Sequence, residues 1–237
     1  MDKLWIYVKS LSKRKRPVSG ADFRIDLVAD NASYELFTDL CLVEFLHRSN
    51  LLPRNRTKVY FHLKNIPWFV SDTMMEDFKW LLDVLQQRED FAPQLKKLGK
   101  RFQQNIDDQV WILEQEQFWT LPYDYSQMVD YDSELYRTLC STDLLIIKGD
   151  LNYRKLMGDL RWPPTATFRQ GLRRFQPTTA ICSLRTIKAD VLVGIENQAT
   201  LELIESFPNK EWMETGEFAV IHFLNNNDNN INGKIIK

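Results

Sequence analysis

Six short apolar runs, separated by stretches with helical spacing, constrain the fold of this chain more than any other feature. Phe23–Val28, Val59–Leu63, Val110–Leu113, Leu144–Ile147, Thr179–Leu184 and Phe218–Phe223 read as strands. Between the first two, Tyr34–His47 places Leu36, Leu40, Val43 and Leu46 at helical intervals. Ser71–Gln87, Gln94–Asn105, Ser133–Leu139, Leu151–Leu160, Thr167–Phe175 and Leu201–Ser206 also read as helices. A run as apolar as Leu144-Leu145-Ile146-Ile147 must be covered on both faces. In a strand–helix alternation this predicts a mainly parallel, Rossmann-like sheet within a three-layer α/β/α sandwich.

The 237 residues suit one large domain with a substantial core, expected over residues 21–224. Residues 1–20, with the basic run Lys13-Arg14-Lys15-Arg16 before Pro17, read as an N-terminal remnant or linker. Residues 225–237 open with an asparagine-rich stretch too polar to offset its ordering entropy, so a disordered tail is expected. Net charge is −1, which offers no global attraction to nucleic acid or an anionic membrane. No apolar segment is long enough to span a bilayer, and no signal peptide is evident. Cys41, Cys140 and Cys182 are few and scattered, as in a reduced cytoplasmic protein, and a nuclear address is the other reading of the basic run. The histidines have no zinc-ligand spacing.

Ligands in open α/β sheets bind beyond the carboxyl ends of the strands. The residues there are Asp30-Asn31, then Lys64 and Ser71-Asp72, then Lys148-Gly149-Asp150, then Arg185 and Lys188. Asp30, Asn31 and Asp72 supply only oxygen donors suited to a hard cation, Mg2+ or Mn2+ rather than Zn2+. Their competing role is helix capping, by Asp30 or Asn31 for the first long helix and by Ser71 or Asp72 for the next. Lys148-Gly149-Asp150-Leu151-Asn152-Tyr153-Arg154-Lys155 turns from a buried strand into a helix. Gly149 permits a tight turn, and Arg154 can grip phosphate in bidentate fashion. Trp68, Trp80, Trp111, Trp119 and Trp162 read as packing residues.

These blocks resemble a known family. Asp30-Asn31-Ala32-Ser33-Tyr34-Glu35 is similar to its Asp-Asn-x-x-x-Glu signature, Phe61–Asp72 to its second block, and Lys148–Lys155 to its third. Arg185-Thr186-Ile187-Lys188 resembles the Arg-Thr-x-Lys motif of one branch. Together they identify the chain as similar to the damage-control phosphatases, in the acidic-residue-methyltransferase-like branch that cleaves fructose phosphates. The resemblance implies a metal held by Asp30, Asn31 and Asp72, with Mn2+, Ni2+ or Co2+ supporting activity. It implies that Glu35, Asp150, Leu151, Asn152, Tyr153, Arg154 and Lys188 contact a small phosphorylated substrate such as fructose 1-phosphate or fructose 6-phosphate. The metal would activate a bound water, or Asp30 or Asp150 would instead act as base or nucleophile. Family members carry a long helical region before the Asp-Asn motif, so an N-terminally truncated chain is expected. The alternatives are an S-adenosylmethionine-dependent carboxyl methyltransferase, disfavoured by the glycine-free turn after the first strand, and an inactive metal- or phosphate-binding module.

Overall fold

The computed structural model describes residues 2–14, 23–177, 179–195, 197–225 and 234–236. The chain divides into two compact units, Trp5–Thr120 and Leu121–Lys237 together with Met1–Leu4.

The chain opens with α1 (Asp2–Leu11), followed by β1 (Phe23–Val28), α2 (Tyr34–Arg48), β2 (Thr57–Leu63), α3 (Met75–Gln87), α4 (Pro93–Asp107) and β3 (Trp111–Gln115). β1 pairs with β2 and β2 with β3, both in parallel, with Val28 opposite His62 and Val59 opposite Trp111. Phe61 meets Phe78 and Trp111 edge-on at 5.4 Å, and Phe102 packs on Trp111 at 5.3 Å. Helices α3 and α4 thus cover the sheet with aromatic side chains from both.

The second unit carries α5 (Met128–Tyr131), α6 (Ser133–Cys140), β4 (Leu144–Lys148), α7 (Asp150–Leu156), α8 (Phe168–Gly171), β5 (Ala180–Thr186), α9 (Gln198–Glu205), β6 (Ala219–Leu224) and β7 (Lys234–Ile236). β4 and β5 are parallel, whereas β6 and β7 add antiparallel strands beyond β5. Every residue of β4 is buried, as its unbroken apolar run requires. Ile187, Leu192, Ile195, Trp212, Phe218 and Val220 form an apolar cluster. The chain has the expected α/β fold, a three-layer α/β/α class with a mainly parallel sheet.

Several expectations are corrected. Residues 2–11 form a helix rather than a linker, because Val8 and Leu11 bury an apolar side. Lys15–Gly20 lie outside the described residues. Within the expected disordered tail, Lys234–Ile236 instead pairs with β6, where an open strand edge offers backbone partners to a short apolar segment; residues 226–233 lie outside the described ones. Helix α3 begins at Met75, not Ser71, because Ser71 and Asp72 are engaged with the turn after β1. Trp111 and Trp119 are buried, whereas Trp68 and Trp80 are exposed. Among the described residues no helix is long and apolar enough to cross a membrane.

A column of flat groups runs through the second unit. The Arg185 guanidinium lies 4.3 Å from the Tyr153 ring, Tyr153 stacks on His222 at 5.6 Å, and His222 on Phe168 at 4.5 Å. Burial pushes the His222 imidazole down to about 4, partly countered by its bond to the Val193 carbonyl. The unfolded chain takes up this proton near 6.5, so the contribution of His222 to folding stability is complete above that pH and is lost as pH drops toward 4. The full loss is on the order of 3 kcal/mol. Urea unfolding between pH 7 and 4.5 should show His222→Phe, which keeps a stacked ring, losing less stability than the parent on acidification. Identical pH profiles would exclude His222 as the cause.

Candidate functional site

In the Trp5–Thr120 unit, the turn after β1 and the loop after β2 are tied together by their backbones. Ala32 N–H donates to the Ser71 carbonyl at 2.8 Å and Thr73 N–H to the Asp30 carbonyl at 2.8 Å, and Asn31 bridges Asp72 in antiparallel fashion. These bonds bring the side chains of Asp30, Asn31 and Asp72 into one place, with Asp30 and Asp72 buried. At the start of α2, Ser33 adopts φ 62, a left-handed turn that a serine makes at some cost.

Neither carboxylate caps a helix. α2 has no side-chain cap, and the first backbone N–H of α3's cap donates to Asp77. Asp72 Oδ2 instead accepts from Phe69 N–H at 2.9 Å, and Asp30 Oδ2 from Asn31 Nδ2 at 2.9 Å. Asn31 Nδ2 also donates to Glu35 at 2.8 Å, while its Oδ1 accepts from the Ser71 hydroxyl at 2.6 Å. Two carboxylates buried this close repel one another. Lys64, itself 1% exposed, answers that repulsion with Nζ 3.1 Å from Asp72 Oδ1 and 3.6 Å from Asp30 Oδ1. It also donates to the Ala29 carbonyl.

Lys64 is the site residue to which the sequence assigned no role. Its signal is its position, the first residue beyond the apolar run of β2. Among the described residues no group of three or more His, Cys, Asp or Glu side chains is gathered for a metal. Any cation here would therefore rest on two carboxylates and an amide. That all-oxygen set fits a hard divalent ion, but the ion shares the carboxylates with an ammonium already in place.

The second unit gathers a separate constellation. Gly149 takes φ 85, which the tight turn from β4 into α7 demands of a glycine. Asp150 Oδ1 accepts from Arg185 Nε at 2.7 Å and from the backbone N–H of Lys188 at 3.1 Å. Arg185 is fully buried in its side chain and spends its other nitrogens on the carbonyls of Val191 and, at 2.9 Å, Ala189. In Arg185-Thr186-Ile187-Lys188 the first and third residues point inward and the second and fourth outward. Arg185 is therefore a scaffold for Asp150, and Lys188 is the exposed cation.

The remaining residues of this block have the following partners within the unit. Leu151, Asn152 and Tyr153 are buried, with Asn152 donating to the Lys148 carbonyl at 2.8 Å, so their side chains pack the helix against the sheet. Burial raises the Tyr153 hydroxyl to about 12. Arg154 is in a bidentate pair with Asp159 at 2.8 and 2.7 Å, because the turn after α7 returns that carboxylate to it.

Residues 4–204 match the family description "Damage-control phosphatase ARMT1-like domain". The chain belongs to this family. Among curated relatives, "Damage-control phosphatase ARMT1" of Bos taurus is 38% identical over 94% of this chain and 48% of its own length. The Danio rerio protein of that name is 41% identical over 84% of this chain and 43% of its own, and the Homo sapiens one 36% over 94% and 48%. The chain thus spans about half the length of the curated relatives it matches. The aligned family region takes in both constellations, from Asp30 to Lys188.

Proposed function

We propose that the chain carries the metal-dependent catalytic part of a phosphatase acting on phosphate monoesters of small metabolites, with fructose 1-phosphate and fructose 6-phosphate as the substrate class. The observation that carries this reading is the meeting of Asp30, Asn31 and Asp72 beyond the carboxyl ends of β1 and β2. Membership of a family named for phosphatases supports the reaction type.

On this reading Asp30, Asn31 and Asp72 hold a divalent ion, Mn2+, Ni2+, Co2+ or Mg2+. Such an ion, when bound, lowers the pKa of a water ligand and offsets phosphoryl charge. Lys64 pairs with both carboxylates and keeps them together in the metal-free protein. Glu35 orients Asn31 through its amide. Asp30, or in the other unit Asp150, which Arg185 and the Lys188 backbone fix, would serve in proton transfer or attack, and the exposed Lys188 ammonium suits a phosphoryl anion.

The test is phosphate release from fructose 1-phosphate and p-nitrophenyl phosphate in Mn2+. Asp72→Ala and Asp150→Asn should each lower kcat/KM by about 10²-fold or more, and a chelator should abolish release in the parent. Release that survives the chelator, or an Asp72→Ala protein with full Mn2+-dependent activity, would remove the metal reading.

A further inference from the structure

A cavity of about 440 Å3 in the Trp5–Thr120 unit is lined by Glu44, Arg48, Arg54, Arg101, Asn105 and Asp108, among others. It lies where α2 and α4 end, on the side from which the chain enters β2 and β3. Asp30, Lys64 and Asp72 belong to the opposite, carboxyl ends. β2 is seven residues long, so the two places are about 20 Å apart.

The lining is a connected framework. Arg101 Nε donates to Glu44 Oε1 at 2.8 Å, Asn105 Nδ2 to Glu44 Oε2 at 3.1 Å, and Arg54 Nε to Asn105 Oδ1 at 2.7 Å. The donor on one side (Arg54) and the acceptor on the other (Glu44) fix which way the Asn105 amide faces. Glu44 and Asn105 are buried, so this chain forms a rigid floor. Arg54 also reaches the exposed Asp108 at 2.5 Å. Arg101 uses only its Nε in this framework, leaving both terminal nitrogens, and the Arg48 side chain makes no hydrogen bond or ion pair among the described residues. Three guanidinium groups face two carboxylates, and one positive charge is in excess.

We propose that this cavity is a second site, for a small anion bearing a phosphoryl group. Guanidinium forks suit an anion with several acceptor oxygens, which can take two or more parallel N–H bonds. The volume is in the range of small-molecule sites and exceeds what a bare ion fills. The Arg54–Asp108 pair is half exposed on both sides and therefore weak, so a more densely charged anion can draw Arg54 away from it. The site stands independently of the phosphatase reading, because none of its residues belongs to the Asp30, Asn31 and Asp72 group.

Calorimetry in chelator, with inorganic phosphate and with phenylphosphonate (whose P–C bond is not hydrolysed), tests it. The parent and Asp72→Asn should bind both probes equally well. Arg48→Gln and Arg54→Gln should bind at least about tenfold more weakly, the loss of one charge-assisted contact. Arg48 stands outside the hydrogen-bonded framework, so Arg48→Gln leaves the fold intact and keeps the test valid if Arg54→Gln unfolds. Tighter binding of phenylphosphonate assigns the cavity to an organophosphate, and tighter binding of phosphate to the free ion; both support the site. No binding of either probe by the parent, unchanged affinity in Arg48→Gln, or loss confined to Asp72→Asn overturns the proposal.

Discussion

Lys64→Met should destabilise the metal-free protein by about 3–5 kcal/mol and make its stability depend on added Mn2+. The ammonium lies within 3.1 Å of Asp72 and 3.6 Å of Asp30, and all three side chains are almost wholly removed from water. Methionine fills much of the same space but leaves two carboxylates facing each other with no cation between them. Replacing one partner of a buried ion pair is costly for this reason: the remaining charge keeps its desolvation penalty and loses its compensation. A divalent ion bound by the same carboxylates restores that compensation and stabilises the folded state in proportion to the logarithm of its concentration over Kd. The expected result is therefore a low unfolding midpoint in chelator, recovered in Mn2+, with metal affinity at least about tenfold higher than in the parent because a competing cation is gone. A variant as stable as the parent in chelator would show that Lys64 holds nothing together. Equal Mn2+ responses in both proteins would show that the ion binds elsewhere.

Arg185→Lys should be nearly as damaging, at about 3 kcal/mol or more, although it conserves charge. Arg185 serves three acceptors from one plane, Asp150 and the carbonyls of Val191 and Ala189, while its face lies on Tyr153. A lysine presents a single tetrahedral ammonium on a shorter reach and cannot span them. At least one buried carbonyl and one side of Asp150 would be left unpaired, and each unsatisfied group costs about 1–3 kcal/mol. Since Asp150 also holds the Lys188 backbone, the outward cation loses its fixed origin. On the phosphatase reading, turnover should therefore fall more than stability alone explains, with kcat reduced at temperatures where the variant is fully folded. Chemical denaturation and steady-state assays of the same preparation separate the two effects. A midpoint within about 0.5 kcal/mol of the parent would refute the scaffolding role of Arg185.

The positions of the strands, to within two residues at their ends, were readable because apolar runs leave few alternatives. Leu144–Lys148 and Ala180–Thr186 lie where the alternation put them. Three small elements were less readable. α1 depends on a few buried side chains in a charged stretch, β7 depends on the free edge of β6, and the start of α3 was moved by backbone bonds to a turn forty residues upstream. Each is decided by a partner distant in sequence, and local periodicity carries no information about that partner.

The same division runs through the candidate site. Asp30, Asn31, Asp72 and Asp150 were visible as polar residues beyond apolar strands and Arg185 at the polar end of one, since the end of a strand is where a chain can place such groups beside the sheet. Their partners were not visible. Lys64 between two carboxylates, Arg154 taken by Asp159 and Tyr153 stacked on His222 are outcomes of where side chains meet in space. The order of strands and the type of each donor are properties of the chain itself, written in period and chemistry. Which charge neutralises which is set only when folding removes the groups from water, because that is when an unpaired charge becomes too costly to leave.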